Sequence, residues 1–252
     1  MTHRPTLIIG NWKMNKTIAE AESFLSSLSL SIKQCTSEVG LAVPFTMISV
    51  ANKAVSGTKI RIGAQNVSSY EQGAYTGEIS CAMLKDAGAS FTLIGHSERR
   101  RHFHEDDKIV NAKILRCLEW SIQPIVCVGE TSEEHQAGMT HEVLERQIIN
   151  GMRGLTQDQI KGLVLAYEPV WAIGTNQAAT PDIVEKTHAF CRSVLAKKWG
   201  NPAAEKVLIQ YGGSVTAANA ADLLNQPDVD GLLVGGASLT WESFSKILLA
   251  RN

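Results

Sequence analysis

Leu163-Val164-Leu165-Ala166-Tyr167-Glu168-Pro169-Val170-Trp171-Ala172-Ile173-Gly174-Thr175 runs from a continuous apolar stretch to a lone carboxylate, then into a loop that opens on proline. Leu163–Tyr167 reads as a strand covered on both faces, because a half-exposed strand would alternate apolar and polar residues. Glu168 falls at the C-terminal end of that strand. A strand end holds a general base rigidly, and an apolar loop closing over it excludes water. The plainer reading is a buried strand that ends in a solvated Glu before a turn. An exposed Trp171-Ala172-Ile173 cluster argues against it, since surface loops are usually polar. Downstream, Thr180-Pro181-Asp182 places Thr at an N-cap, Pro at the first helical position and an acid in the first turn of a helix over Ile183–Trp199.

The same strand-loop-helix unit recurs along the chain. Further strands are expected at Leu7–Gly10, Gly40–Val43, Ile60–Ala64, Phe91–Ile94, Ile125–Val128, Val207–Tyr211 and Gly231–Val234. Amphipathic stretches such as Ile109–Trp120 and Glu142–Ile149 lie between them. Most of the strands are continuous apolar runs, as in parallel sheets with helices on their faces. No low-complexity linker divides the units. Eight of them suit a closed (β/α)8 barrel, the TIM-barrel architecture of α/β proteins, better than an open doubly wound sheet. A single domain over residues 1–252 is expected.

Composition excludes several classes. The 252 residues carry 24 Lys plus Arg against 25 Asp plus Glu, a net charge of −1, which argues against nucleic acid or an anionic membrane as the main partner. No apolar run approaches the ~20 residues of a membrane span, and the N-terminus shows no secretory apolar region. The five cysteines contain no Cys-x-x-Cys pair and read as reduced thiols in a cytoplasm.

In such a barrel the C-terminal ends of the strands share one face, where active sites are built. Those ends supply Asn11 and Lys13, His96 and Glu98, Glu168, Ser214, and Gly235-Gly236. Taken singly, a lysine is usually a solvated charge, a histidine a structural residue and a glycine pair a turn. Tyr211-Gly212-Gly213-Ser214-Val215 and Val234-Gly235-Gly236-Ala237-Ser238 have the form of a phosphate cradle, in which glycines let backbone N–H groups approach an anion. A helix terminus contributes only ~0.3–2 kcal/mol to anion binding, so a phosphate also needs a cation, and Lys13 is available. Ser97 and Glu98 read as the start of a short helix, which puts His96 at its positive end, where an imidazolium is disfavoured.

Asn11-Trp12-Lys13-Met14-Asn15, Gly95-His96-Ser97-Glu98-Arg99-Arg100, Ala166 through Thr175, Tyr211 through Val215 and Gly235-Gly236-Ala237-Ser238-Leu239 resemble the triosephosphate isomerase family, in order and over the whole chain. Gly73-Ala74-Tyr75-Thr76-Gly77-Glu78 and Cys127-Val128-Gly129-Glu130 are similar to that family too. The resemblance implies interconversion of dihydroxyacetone phosphate and D-glyceraldehyde 3-phosphate through an enediolate, in glycolysis and gluconeogenesis, with no cofactor and no metal. It implies Glu168 as the base, Lys13 as the stabilising cation and Glu98 as the residue that orients Lys13. It also implies a neutral His96 that polarises the substrate oxygens, an arrangement for which that enzyme is itself the standard example. Asn11 would hold the carbonyl side, and Gly174, Ser214, Gly235 and Gly236 the phosphate. Ile173 and Leu233 would clamp the base, and desolvation would make it stronger when the loop shuts. Pro169, Val170, Trp171, Ala172, Thr175 and Asn176 would form the lid. Tyr75, Thr76 and Met14 would lie at the interface of a homodimer.

Asn176 stands where the family commonly has Gly, and Gln177 where it often has Lys or Leu, which bears on the hinge. His102-Phe103-His104-Glu105 superficially has metal-ligand spacing but reads as solvated surface, since no second cluster completes a site. Arg99, Arg100 and Arg101 are followed at once by Glu105, Asp106 and Asp107, so local ion pairing is expected. His135 and His141 flank a glycine-containing loop, with no partner legible in the sequence. Two competing functions are a Schiff-base aldolase using Lys13 and an inactive phosphate-binding scaffold.

Overall fold

In the computed structural model, which describes residues 4–173 and 179–251, the strands close into a parallel barrel in sequence order. The first half runs β1 (Leu7–Asn11), α1 (Ile18–Ser31), β2 (Glu38–Val43), α2 (Ile48–Ala54), β3 (Ile60–Ala64), α3 (Cys81–Asp86), β4 (Phe91–Ile94), α4 (Ser97–Phe103) and α5 (Asp107–Glu119). The second half runs β5 (Gln123–Val128), α6 (Ser132–Gln136), α7 (Thr140–Gly151), α8 (Gln157–Ile160), β6 (Val164–Tyr167), α9 (Pro181–Trp199), α10 (Asn201–Ala204), β7 (Leu208–Tyr211), α11 (Ala220–Leu224), β8 (Gly231–Val234) and α12 (Trp241–Leu248). All eight expected strands are present. β2 and β5 begin two residues earlier than their apolar runs, at Glu38 and Gln123, because ladder pairing extends past the buried residues.

The unbroken apolar runs are explained by two separate cores. Alternate residues point inward, where Leu7, Ile9, Phe91, Leu93, Ile125, Cys127, Val164, Ala166 and Leu233 fill the barrel. Their neighbours, among them Ile8, Leu41, Val126, Leu165 and Ile209, face the surrounding helices. The inner filling requires two bare positions. A Cβ on Gly40 would stand 2.9 Å from the Phe91 ring, and one on Gly63, the register partner of Phe91, would run into that ring. Phe91 from β4 therefore lies across β2 and β3. At the N-terminal end of the barrel, Arg4 Nε and Arg192 Nη2 donate to Asp230 at 2.5 and 2.6 Å.

The helix starts follow their capping residues. Thr180 accepts the N–H of Ile183 with Pro181 in the first turn, as the sequence predicts. All five cysteines are buried free thiols. Among the described residues, no helix is long and apolar enough to cross a membrane, and no three potential ligands gather as a metal site. The His102–Glu105 stretch departs from expectation at Glu105, which is buried and accepts Arg99 Nε and Lys113 Nζ, both at 2.5 Å. Lys113 sits two turns into α5, so its approach to Glu105 depends on helix packing that a linear reading does not contain. The expected local ion pairing is present in Arg99–Glu105 and in Arg100–Asp107 at 2.7 Å.

Candidate active site

A cavity of about 460 Å³ opens at the C-terminal ends of the strands, and Asn11, Lys13, His96, Glu168, Ile173, Ser214, Leu233, Gly235 and Gly236 all line it. Residues scattered over the whole sequence meet there because parallel strands bring every βα junction to one rim.

Lys13 leaves β1 with φ +52°, a left-handed conformation that costs a non-glycine residue of order 1–3 kcal/mol. The surroundings enforce it. Its backbone N–H donates to Asn11 Oδ1 at 3.0 Å, and its carbonyl accepts from Gln65 Nε2 at 2.8 Å. Gln65 in turn donates to Ala42 O on β2 at 3.0 Å, tying the lysine to the barrel wall. The ammonium reaches Glu98 Oε1 at 2.5 Å. Glu98 itself lies outside the cavity lining and meets it at Lys13 and, at 3.7 Å, at His96 Nδ1.

His96 is the N-cap of α4, and its Nδ1 accepts the backbone N–H of Glu98 at 3.2 Å. That bond assigns the ring proton to Nε2, which faces Glu168 Oε1 at 2.9 Å. The other carboxylate oxygen accepts the N–H of Ser97 at 3.0 Å. Burial alone pushes the Glu168 carboxyl up, but His96, the Ser97 N–H and Lys13 outweigh it and hold the group below the ordinary carboxylate range. Burial likewise lowers the imidazole, and the adjacent Glu168 carboxylate reverses this, so the ring binds its proton more tightly than an isolated histidine. In this arrangement the Glu168–His96 contact outweighs burial at both groups, while the strengthening expected of the base is tied to closure of the loop. When the carboxylate turns away, burial and the helix terminus are left to favour a neutral ring.

The loop after Glu168 also differs from expectation. Val170–Ala172 forms a 3-10 turn, Ala172 is buried, Trp171 and Ile173 are half-buried, and Pro169 is buried. Trp171 donates its indole N–H to Glu130 Oε1 at 2.7 Å and so faces away from the cavity. This segment is apolar because it packs. Gly174, Thr175, Asn176 and Gln177 lie outside the described residues. Met14, Tyr75 and Thr76 are exposed and away from the cavity, with Tyr75 stacked on Tyr70 at 3.8 Å.

Gly212 and Gly213 line the cavity beside Ser214, where the cradle motif puts them, and a Cβ on Gly212 would stand 2.9 Å from Glu168 Cγ. Two contributors carry no signal in the sequence beyond their positions after β4 and β3: Ser97, through its backbone N–H, and Gln65.

The family model described as triosephosphate isomerase matches residues 6–251. The triosephosphate isomerase of Protochlamydia amoebophila is 46% identical over 98% of this chain and 94% of its own length. That of Fusobacterium nucleatum is 46% identical over 99% of this chain and 100% of its own. The crystal structure of the Bartonella henselae triosephosphate isomerase superposes with a TM-score of 0.88 at 38% identity, covering 97% of this chain and 98% of that one. A match of this extent, in sequence and in architecture alike, places the chain in the triosephosphate isomerase family.

Proposed function

We infer that the protein is an aldose-ketose isomerase that interconverts dihydroxyacetone phosphate and D-glyceraldehyde 3-phosphate. The supporting observation is the convergence of Glu168, His96 and Lys13 on one cavity that also has the Gly212–Ser214 and Gly235-Gly236 backbone in its wall. Glu168 takes a proton from the carbon next to the carbonyl and returns it to the adjacent carbon. His96 Nε2–H donates to the substrate oxygens as the enediolate forms. Lys13 balances the negative charge that develops and the phosphate charge, and Asn11 fixes the lysine's turn. Ser214, Gly235 and Gly236 receive the phosphate. Preorganised charge of this kind supplies the acceleration that proton transfer alone, at about 10²–10⁴-fold, does not. No metal or cofactor takes part in these steps. Lys13 is ion-paired and 29% exposed at its side chain, unlike the desolvated amine of a Schiff-base enzyme. A coupled assay for either triose phosphate tests the reading, and absence of turnover in folded protein would remove it.

Ile173 and Leu233 supply apolar walls around the base. Ile173→Ala is expected to lower kcat by about 10-fold, through partial rehydration of the carboxylate. Being half-buried, the side chain should leave unfolding within about 1 kcal/mol of the parent. Wild-type kcat with unchanged affinity for a phosphate ligand would refute the role.

The same reading makes the protein a cytoplasmic homodimer. Met14 is 96% exposed and Phe103 62% exposed, and the two lie together on one surface hollow. That hollow, of about 310 Å³, reaches Lys13 and His96 from the outer side, and it would take only the tip of the Gly73–Glu78 loop of a second copy, with Tyr75 and Thr76. Dilution to nanomolar concentration should therefore lower specific activity as the sedimentation coefficient falls to that of a monomer. A monomer with full activity would count against the dimer.

A further inference from the structure

The turn between β1 and α1 carries two left-handed lysines, Lys13 at φ +52° and Lys16 at φ +73°. A residue with a side chain keeps that conformation only where its surroundings enforce it. For Lys13 the enforcing groups are Asn11 and Gln65. For Lys16 they lie farther away in sequence. Its ammonium donates to the carbonyl of Leu239 at 2.7 Å, and stands 4.6 and 5.2 Å from the ring centroids of Phe24 and Trp12. Those two rings meet edge to face at 5.1 Å, so the ammonium caps an aromatic pair. Asn15 Nδ2 closes the turn onto the Trp12 carbonyl at 2.6 Å.

Leu239 ends the segment that the isomerase reading assigns to the phosphate. Gly236–Ser238 forms a 3-10 turn after β8, with Gly235 before it and Leu239 capping its C-terminal end. Within the turn, the Gly235 carbonyl accepts the Ser238 N–H at 2.8 Å and the Ser238 hydroxyl at 2.7 Å, and the Gly236 carbonyl accepts the Leu239 N–H at 3.1 Å. The Leu239 carbonyl is held from another element, by Lys16. At the other end of the turn the Lys13 stem passes close by, since a Cβ on Gly235 would stand 3.7 Å from Lys13 Cε. The β1 turn therefore meets the cradle at both ends, once with each lysine. Lys13 lines the cavity; Lys16 does not, but Trp12 and Leu239, which it touches, both do.

We propose that Lys16 is a positioning residue for phosphate binding, a tether that fixes the Gly235–Ser238 backbone relative to Lys13 before the ligand arrives. The ground is preorganisation: groups already ordered lose less freedom when an anion binds them. Lys13 keeps its own supports in Asn11 and Gln65, so loss of the tether frees the cradle and leaves the catalytic ammonium in place. The phosphate is gripped alike in ground and transition states, and weaker grip of that kind raises KM while sparing kcat.

The kinetic arm of the test rests on the isomerase reading; the phosphate-binding arm does not. Lys16→Met keeps the unbranched stem over the rings and the left-handed backbone, and removes the donor. It is expected to raise KM for triose phosphate and the dissociation constant of inorganic phosphate together, by about 3- to 10-fold, part of the worth of a hydrogen bond from a charged donor. The kcat should stay within about 2-fold of the parent. Lys16→Arg, which can both donate and lie on aromatic faces, should return both constants to within about 2-fold of the parent. Bulk salt screens a through-space charge but not a tether, so the ratio of phosphate affinities between parent and Lys16→Met should persist at about 0.5 M salt. Parental KM and phosphate affinity in Lys16→Met would overturn the proposal. So would a ratio that collapses to one in salt, or an arginine variant as weak as the methionine one. Isothermal titration with inorganic phosphate needs no turnover. A parent that binds phosphate without isomerising triose phosphates would sink the isomerase reading, and the phosphate affinities would still decide the tether.

Discussion

Glu168→Gln is expected to lower kcat by about 10²–10⁴-fold with KM little changed. The amide is isosteric but cannot accept a proton, so chemistry is lost while the cavity keeps its shape. It is also the mildest change the position allows. Glu168 is 2% exposed and both of its oxygens are bonded, so a shorter residue would leave the Ser97 N–H and His96 without partners. The amide oxygen still accepts from Ser97. The NH₂ then faces His96 Nε2–H donor to donor, which costs about 1–3 kcal/mol of stability unless the ring changes tautomer. A coupled assay in both directions, together with solvent hydrogen exchange at the substrate carbon, measures the effect. A kcat within 10-fold of the parent would mean that another group removes the proton.

Lys13→Met should reduce kcat/KM by about 10²–10³-fold, the scale for removing one preorganised charge-stabilising donor. Both terms should contribute, since the ammonium meets phosphate charge in the ground state and enediolate charge in the transition state. Methionine suits the test because it is unbranched and of similar length. It inherits the same left-handed backbone at φ +52°, so the strain is unchanged and the charge alone is removed. Glu98 loses its partner but stays 44% exposed at its side chain, so water replaces the ion pair and unfolding should change little. Steady-state kinetics alongside competition by a phosphate ligand separate the two terms. An unchanged kcat/KM would dismiss Lys13 from the reaction.

The barrel was legible because each strand is buried on both faces, and a run such as Leu163–Tyr167 cannot be written with polar residues. The rim positions followed from strand ends alone. What stayed hidden depends on pairs remote in sequence. Nothing near Glu105 announces Lys113 and Arg99 as partners that permit its burial. Nothing near Trp171 announces Glu130 as the acceptor of its indole N–H, so the sequence alone presents a packed apolar segment as an exposed one. The direction of Glu168 was hidden for the same reason. A strand end fixes where a carboxylate begins, while the Ser97 N–H and His96, from another unit, fix where it points.

Phe91, seated over Gly40 and Gly63, has a kinetic corollary. With the ring across the middle of the barrel and Arg4 and Arg192 gathered on Asp230 below it, the cup has a floor. Traffic is therefore single-file through one mouth: a product must leave before the next substrate arrives, and the two trioses compete for one seat. Extended or polymeric sugar phosphates cannot thread past that floor.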